Sequence, residues 1–171
     1  MVTQNPNLMS KAAMTAMSST SGSGDLLLSE ILTKVNNAKD KPKKMAVLQQ
    51  YDTPAMRMIL KGAFDPNIKW ALPSGTPPYI ANEAPKGTEH SLLKNESKRL
   101  WHFVDGADAD TTKTQKETMF IQMLEGLHQE EAELLIGVKE KSLNKMYKGL
   151  TAALVKESFN WDDNFMQKEN N

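Results

Sequence analysis

Apolar positions along the chain recur at intervals of three and four residues without sustained alternation of two, the spacing of helices that bury one face. The first stripe, Leu27, Leu28, Ile31, Leu32 and Val35, predicts a helix that starts at Asp25 and ends near Asn36 and Asn37. A second helix is expected from about Lys41 to Tyr51, with Pro42 in the first turn, where its missing donor costs nothing. Pro54 opens a third helix, whose apolar face is Met56, Ile59, Leu60, Ala63 and Phe64, and Asp65-Pro66 begins a short fourth piece containing Ile68, Trp70 and Leu72. Residues 73–90, with Pro73, Gly75, Pro77, Pro78, Pro85 and Gly87, read as a long irregular connection. Helical patterning resumes at Ser91 with Leu92, Leu93, Leu100, Trp101 and Phe103, and an acidic loop follows from Asp105 to Asp110. The prediction is all-α: a single helical-hairpin bundle over residues 25–160. It lies between a flexible tail at 1–24, rich in Ser, Thr, Gly and Asn, and a polar C-terminal tail at 161–171.

The last part of the bundle carries the candidate chemistry. Met119, Phe120, Met123, Leu124, Leu127, Leu134 and Leu135 form one run, and Leu143, Met146, Leu150, Leu154 and Val155 form another. Gly137 stands between them and is read as the turn of a hairpin, since glycine at a helix end permits a left-handed backbone. The following helix would then open with unpaired backbone N–H groups near Lys139, Lys141 and Ser142, an arrangement suited to phosphate.

Charge changes this picture because it is segregated. The formal net charge is zero. Yet residues 34–69 hold eight basic against three acidic side chains, residues 137–156 five lysines against Glu140, and residues 105–133 eight acidic side chains against Lys113 and Lys116. Two basic segments far apart in sequence make one cationic face only if the fold joins them. The ordinary competitor is a solvated helix face, for these lysines and for Lys41, Lys43 and Lys44 alike.

Two segments resemble the N-terminal helical DNA-binding domain of ATP-dependent DNA ligases, most closely those of tailed phages. One is Leu28 to Leu72, with its leucine-rich helix, the lysine-rich Asp40 to Tyr51 segment, the Pro54 to Phe64 helix and then Asp65-Pro66-Asn67-Ile68-Lys69-Trp70. The other is Glu131-Ala132-Glu133-Leu134-Leu135-Ile136-Gly137-Val138 with Lys141-Ser142-Leu143-Asn144-Lys145. The resemblance implies a bundle of paired helical hairpins that grips the minor groove through backbone phosphates without reading sequence. It carries phosphate contact onto Gly137, Val138, Lys139, Lys141, Ser142 and Lys145. Leu135 stands where the family has arginine in Leu-Arg-Ile-Gly, which removes a bidentate phosphate donor. The nucleotidyltransferase motif Lys-x-Asp-Gly is absent, since Asp105-Gly106 follows Phe103 and Val104, and the length leaves no room for catalytic domains.

Other chemistry finds little support. The chain has no cysteine, which excludes disulfides and thiol catalysis. His90, His102 and His128 share no metal-ligand spacing, and the Asp105, Asp108 and Asp110 loop lacks the pattern of a calcium loop, so it reads as an acidic turn. Trp70, Trp101 and Phe103 read as core. No apolar run reaches the length of a membrane span and the start does not read as a signal peptide, so a cytoplasmic protein is expected, in the host cytoplasm if phage-encoded. The expected function is a duplex-DNA-binding module, with no enzymatic activity, no cofactor and no metal. The alternative is a phage protein-interaction or virion-associated structural module that kept the scaffold but lost DNA contact.

Overall fold

Most helices begin where the sequence supplies an acceptor for the first amides. A computed structural model describes residues 26–83, 85 and 91–169. Its α-helices are α1 (Leu28–Asn37), α2 (Lys41–Gln50), α3 (Pro54–Phe64), α4 (Leu93–Glu96), α5 (Lys113–Gly126), α6 (Gln129–Lys139), α7 (Leu143–Met146) and α8 (Ala152–Phe159), with a 3-10 helix at Ser97–Phe103 running on from α4. Among the described residues no strand forms, only isolated bridges, of which Trp70–Val104 bears on the site. The architecture is therefore all-α. Asp40 Oδ1 accepts from Lys43 N at 3.0 Å, Thr53 Oγ1 from Met56 N at 3.2 Å and Thr151 Oγ1 from Leu154 N at 3.2 Å. Thr112 and Gln115 form a reciprocal capping box.

Two helices have leucine at the N-cap, Leu27 before α1 and Leu92 before α4, and neither side chain can cap. A single residue of α6 serves both. Glu131, 1% exposed, accepts from Leu28 N through Oε2 and from Leu93 N through Oε1, each at 3.0 Å. A carboxylate suits this place because helix N-termini carry unpaired amides and partial positive charge. The helix that carries it is central, touching α1, α3, α5 and α7. Leu134, Leu135 and Val138 of α6 are fully buried with Leu32, Met56, Ile59, Leu60 and Phe120 in one core cluster. Each such side chain contributes about 1.5 to 3 kcal/mol of transfer free energy.

Several expectations are corrected. The apolar run before Gly137 is two helices, because the chain turns extended at Leu127 and His128 Nδ1 caps Glu130 N. The Asp65-Pro66 piece is a turn followed by extended chain, pinned when Phe103 O accepts from Ala71 N at 2.7 Å. The C-terminal residues do not all form a polar tail: after α8, Asn160 is left-handed at φ 55°, and Trp161 and Phe165 turn back into the core at 6% and 4% exposure. Arg57 lies over the Phe159 and Trp161 rings at 5.2 and 5.9 Å. The first helix starts at Leu28; Asp25, the 1–24 tail and His90 lie outside the described residues. No helix among the described residues is long and apolar enough to cross a membrane.

Removing Glu131 strands two buried amides, each costing about 1 to 3 kcal/mol. Glu131→Ala is expected to destabilise the fold by about 3 to 5 kcal/mol in urea titrations. Glu131→Gln, with one carbonyl oxygen left, should fall between it and the native chain.

Candidate functional site

The two basic segments meet only at their ends, Lys69 of one and Lys139 and Lys141 of the other, in an open groove of about 720 Å³ that Lys41, Lys43 and Lys44 do not line. One wall is the end of α3 and the chain after it, with Phe64, Ile68, Lys69 and Trp70; the other is the turn after α6 with Lys139 to Lys141, then Asn144 and the start of α8 at Thr151 and Ala152. Asp65, 3% exposed, shapes the first wall by accepting from Asn67 N at 2.9 Å. Trp70 donates its indole N–H to Gly62 O at 3.1 Å, and its ring packs so closely on Gly62 that a β-carbon there would lie 2.8 Å from Trp70 Cζ2 and 3.3 Å from Val138 Cγ1. Gly62 is thus the close approach that seats the tryptophan between α3 and α6. Asp105 N donates to Lys69 O at 2.7 Å, while the Lys69 side chain is exposed.

The second wall departs from the expected glycine corner. Gly137 lies inside α6, buried, with Met146 Sδ and Leu143 Cδ1 against it. The left-handed residue is Lys141, at φ 56°. Lys141 N donates to Val138 O at 3.1 Å and Ser142 N to Gly137 O at 2.9 Å, the paired bonds that close a helix with its αL residue at Lys141. The amides of Lys141 and Ser142 are thereby spent, and the helix that follows is only four residues long. Val138 and Leu135 are fully buried, so neither faces a ligand. A helix N-terminus does border the groove, that of α8, through Thr151 and Ala152.

The cations divide into those that build the wall and those that face outward. Lys139 is 6% exposed; its ammonium donates to Pro73 O at 2.9 Å, Gly75 O at 3.0 Å and the Glu140 carboxylate, which accounts for its three protons. Glu140, the one carboxylate lining the groove among the described residues, is held below its usual pKa by Lys139 first, with Gly75 N assisting at 2.8 Å. Lys141 Nζ donates to Asp65 O at 2.8 Å; partial burial lowers its pKa and the Asp65 charge opposes this. Lys145 is exposed beside Asn144. In the other cluster, Lys44 caps the end of α1 through Val35 O, Asn36 O and Ala38 O at 3.1, 3.0 and 2.7 Å, and Lys41 pairs with Glu157 at 2.6 Å. Of these three only Lys43, 3.9 Å from Asp40, keeps a loosely engaged ammonium. The residues at the groove that sequence left unassigned are Lys69, Asn144 and Thr151. Lys69 stands in the Asp65 to Trp70 stretch already singled out, and Thr151 carries the N-cap signature of a helix start.

A second built cluster lies beyond the Trp70 wall. The expected acidic turn is organised around Asp108, 8% exposed, which accepts from His102 Nδ1 at 2.7 Å, Thr111 Oγ1 at 2.6 Å and the amides of Asp110 and Thr111 at 3.1 and 3.2 Å. Its ionised carboxylate requires the proton on His102 Nδ1. The His102 bond first, then Thr111, holds the Asp108 pKa well below the ordinary aspartate range. Lys116 Nζ donates to Asp108 O at 2.7 Å. Trp101 stacks on His102 with ring centroids 3.8 Å apart and is 46% exposed, which corrects its reading as core. No group of metal-ligating side chains occurs among the described residues.

Fold and groove together define a small all-helical protein with a lysine-lined cleft. Residues 31–145, more than half of the chain, match a family described as "Family of unknown function (DUF6433)", and the chain belongs to it. The matched span runs from α1 through α7 and contains most of both groove walls. No curated protein and no solved structure matches.

Three outcomes follow from this geometry. Gly62→Ala should destabilise the fold by about 1 to 3 kcal/mol, because the Trp70 ring cannot yield without losing its bond to Gly62 O. Gly137→Ala should stay within about 1 kcal/mol of neutral, since the half-exposed Met146 side chain can swing away and alanine favours the helix. Chemical denaturation of the two variants checks both. For Asp108 the folded pKa is depressed, so its stabilisation is present above its unfolded pKa of about 3.9 and drains away as pH falls below it. Asp108→Asn should therefore be less stable than the native chain at neutral pH, with the gap in melting temperature narrowing below about pH 4.

Proposed function

We propose that this chain is a non-catalytic, sequence-independent double-stranded DNA-binding module that holds backbone phosphates in the groove between residues 64–74 and 139–152. The observation that carries the reading is the meeting, in one cleft, of the two segments that resemble the ligase DNA-binding domain, with Lys69 on one wall and Lys141 on the other beside Glu140, the one carboxylate lining the cleft among the described residues, which Lys139 already neutralises. Further support comes from the backbone. A lysine occupies the left-handed position that glycine would fill without strain, and such strain concentrates where a side chain has work to do. The N-terminus of α8 adds partial positive charge at the same cleft. The binding chemistry is thus assigned to Lys69, Lys141, Asn144, Lys145 and Thr151, while Lys139 and Lys44 hold the scaffold. On this reading the finer fold is the helical-hairpin bundle of the ligase domain, and a phage-encoded chain would act in the host cytoplasm.

Fluorescence anisotropy with a labelled duplex tests the proposal. Affinity should fall steeply between about 50 and about 200 mM salt and be indifferent to sequence. The Lys69→Glu, Lys141→Glu double variant should weaken binding to every duplex and lower the salt slope by about 2, whereas Lys141→Gly should weaken binding yet stabilise the fold by up to about 1 kcal/mol. Absence of duplex binding at low salt would sink the reading and leave the protein-interaction or virion-associated module in its place.

A further inference from the structure

We infer that Trp101 is a stacking platform for an unpaired nucleobase, so that the preferred ligand is a duplex with a single-stranded overhang; this rests on the duplex-binding reading above. Trp101 is a large aromatic left 46% exposed at the end of a helix whose neighbours Leu100 and Phe103 are buried at 1% and 0%. Its exposure is built. One face is stacked on His102 with ring centroids 3.8 Å apart and planes inclined at 29°. His102 is held at 2.7 Å by Asp108, and that carboxylate is fixed in turn by Thr111 Oγ1 and two backbone amides. Lys116, buried, braces the turn from behind through Asp108 O. An aromatic ring that packs on a fixed neighbour and leaves nearly half of the residue to solvent suits base stacking, which is tolerant of sequence because every base has a π-face.

The neighbourhood supplies the charge. Lys98, one turn earlier on the 3-10 helix, is exposed, and Arg99, paired with Glu96 at 2.8 Å, is exposed beside it. A 3-10 helix eclipses residues three apart, so Lys98 and Trp101 share a face. The platform is also joined rigidly to the phosphate groove. Phe103 O and Asp105 N bond Ala71 N and Lys69 O, each at 2.7 Å, and Lys69 and Trp70 form the groove wall. Duplex held at the groove would thus have its strand end near an aromatic surface, and an unpaired base can stack there whereas a base inside the helix cannot.

The experiment compares blunt duplex, the same duplex with a thymine overhang at the 5′ or the 3′ end, and an overhang of abasic residues, by anisotropy and by tryptophan fluorescence. The native chain should bind one of the thymine overhangs at least about fivefold more tightly than blunt duplex and lose that preference when the overhang is abasic. Trp101→Ala should abolish the preference while leaving blunt-duplex affinity unchanged, and Trp101→Phe should keep part of it. Quenching by the overhang should be present in the native chain and absent in Trp101→Phe, which separates Trp101 from Trp70 and Trp161. Equal binding of blunt and overhang duplex, or an overhang preference that survives in Trp101→Ala, overturns the stacking site and leaves the duplex-binding reading standing. Failure to bind any of these DNAs overturns both.

Discussion

The Glu131 carboxylate, buried in the first turn of α6, ties together parts of the chain that no local rule connects. One oxygen caps α1 and the other caps α4, helices that follow leucines whose side chains cannot cap. An ionic group is tolerated there because the charge meets the positive ends of two helices instead of a single neighbour. Once α1, α4 and α6 are locked, α3 packs on α6 through Gly62, the Trp70 ring fills the gap, and the wall of the groove is set.

The same logic governs the lysines. Lys44, Lys116 and Lys139 each aim an ammonium at backbone carbonyls and are structural, closing α1, the Asp108 turn and the 73–75 segment in turn. A cation whose protons are committed to carbonyls contributes less to a ligand than its formal charge suggests. Acidic residues are converted likewise: Glu131 and Asp108 lie inside, and Glu125 accepts from Ile80 N at 2.7 Å, so the acidic 105–133 segment is not one acidic face. What faces outward at the groove is a short set, Lys69 and Lys141, with Lys145 exposed next to the Asn144 wall residue, on walls that other lysines hold in position.

Much of the fold was legible in the sequence, the site much less so. Helix α3 was read at both of its ends, and α2 and the interruption at 105–110 came close, because Asp40, Pro42, Thr53 and Pro54 act within a single turn of themselves and apolar periodicity states which face is buried. Gly137 misled because a glycine that permits close packing and one that permits a left-handed turn look alike in sequence. Here Met146 needs the space, and Lys141 makes the turn. Trp101 misled for a related reason, since a tryptophan at helical spacing gives no sign of which side its ring takes.

The sequence by itself determined the all-helical class, the starts of α2 and α3 and the presence of two separated basic segments, all of which depend on residues within a few positions of one another. Only the tertiary structure decided that those segments share a cleft, that Glu131 caps two helices more than 30 residues away, that Lys139 and Lys44 turn inward, and that Trp161 and Phe165 return to the core. The physical reason is range. Capping and periodicity are local, whereas the partner that an ammonium, a carboxylate or an indole finally meets is chosen by packing among elements remote in the chain.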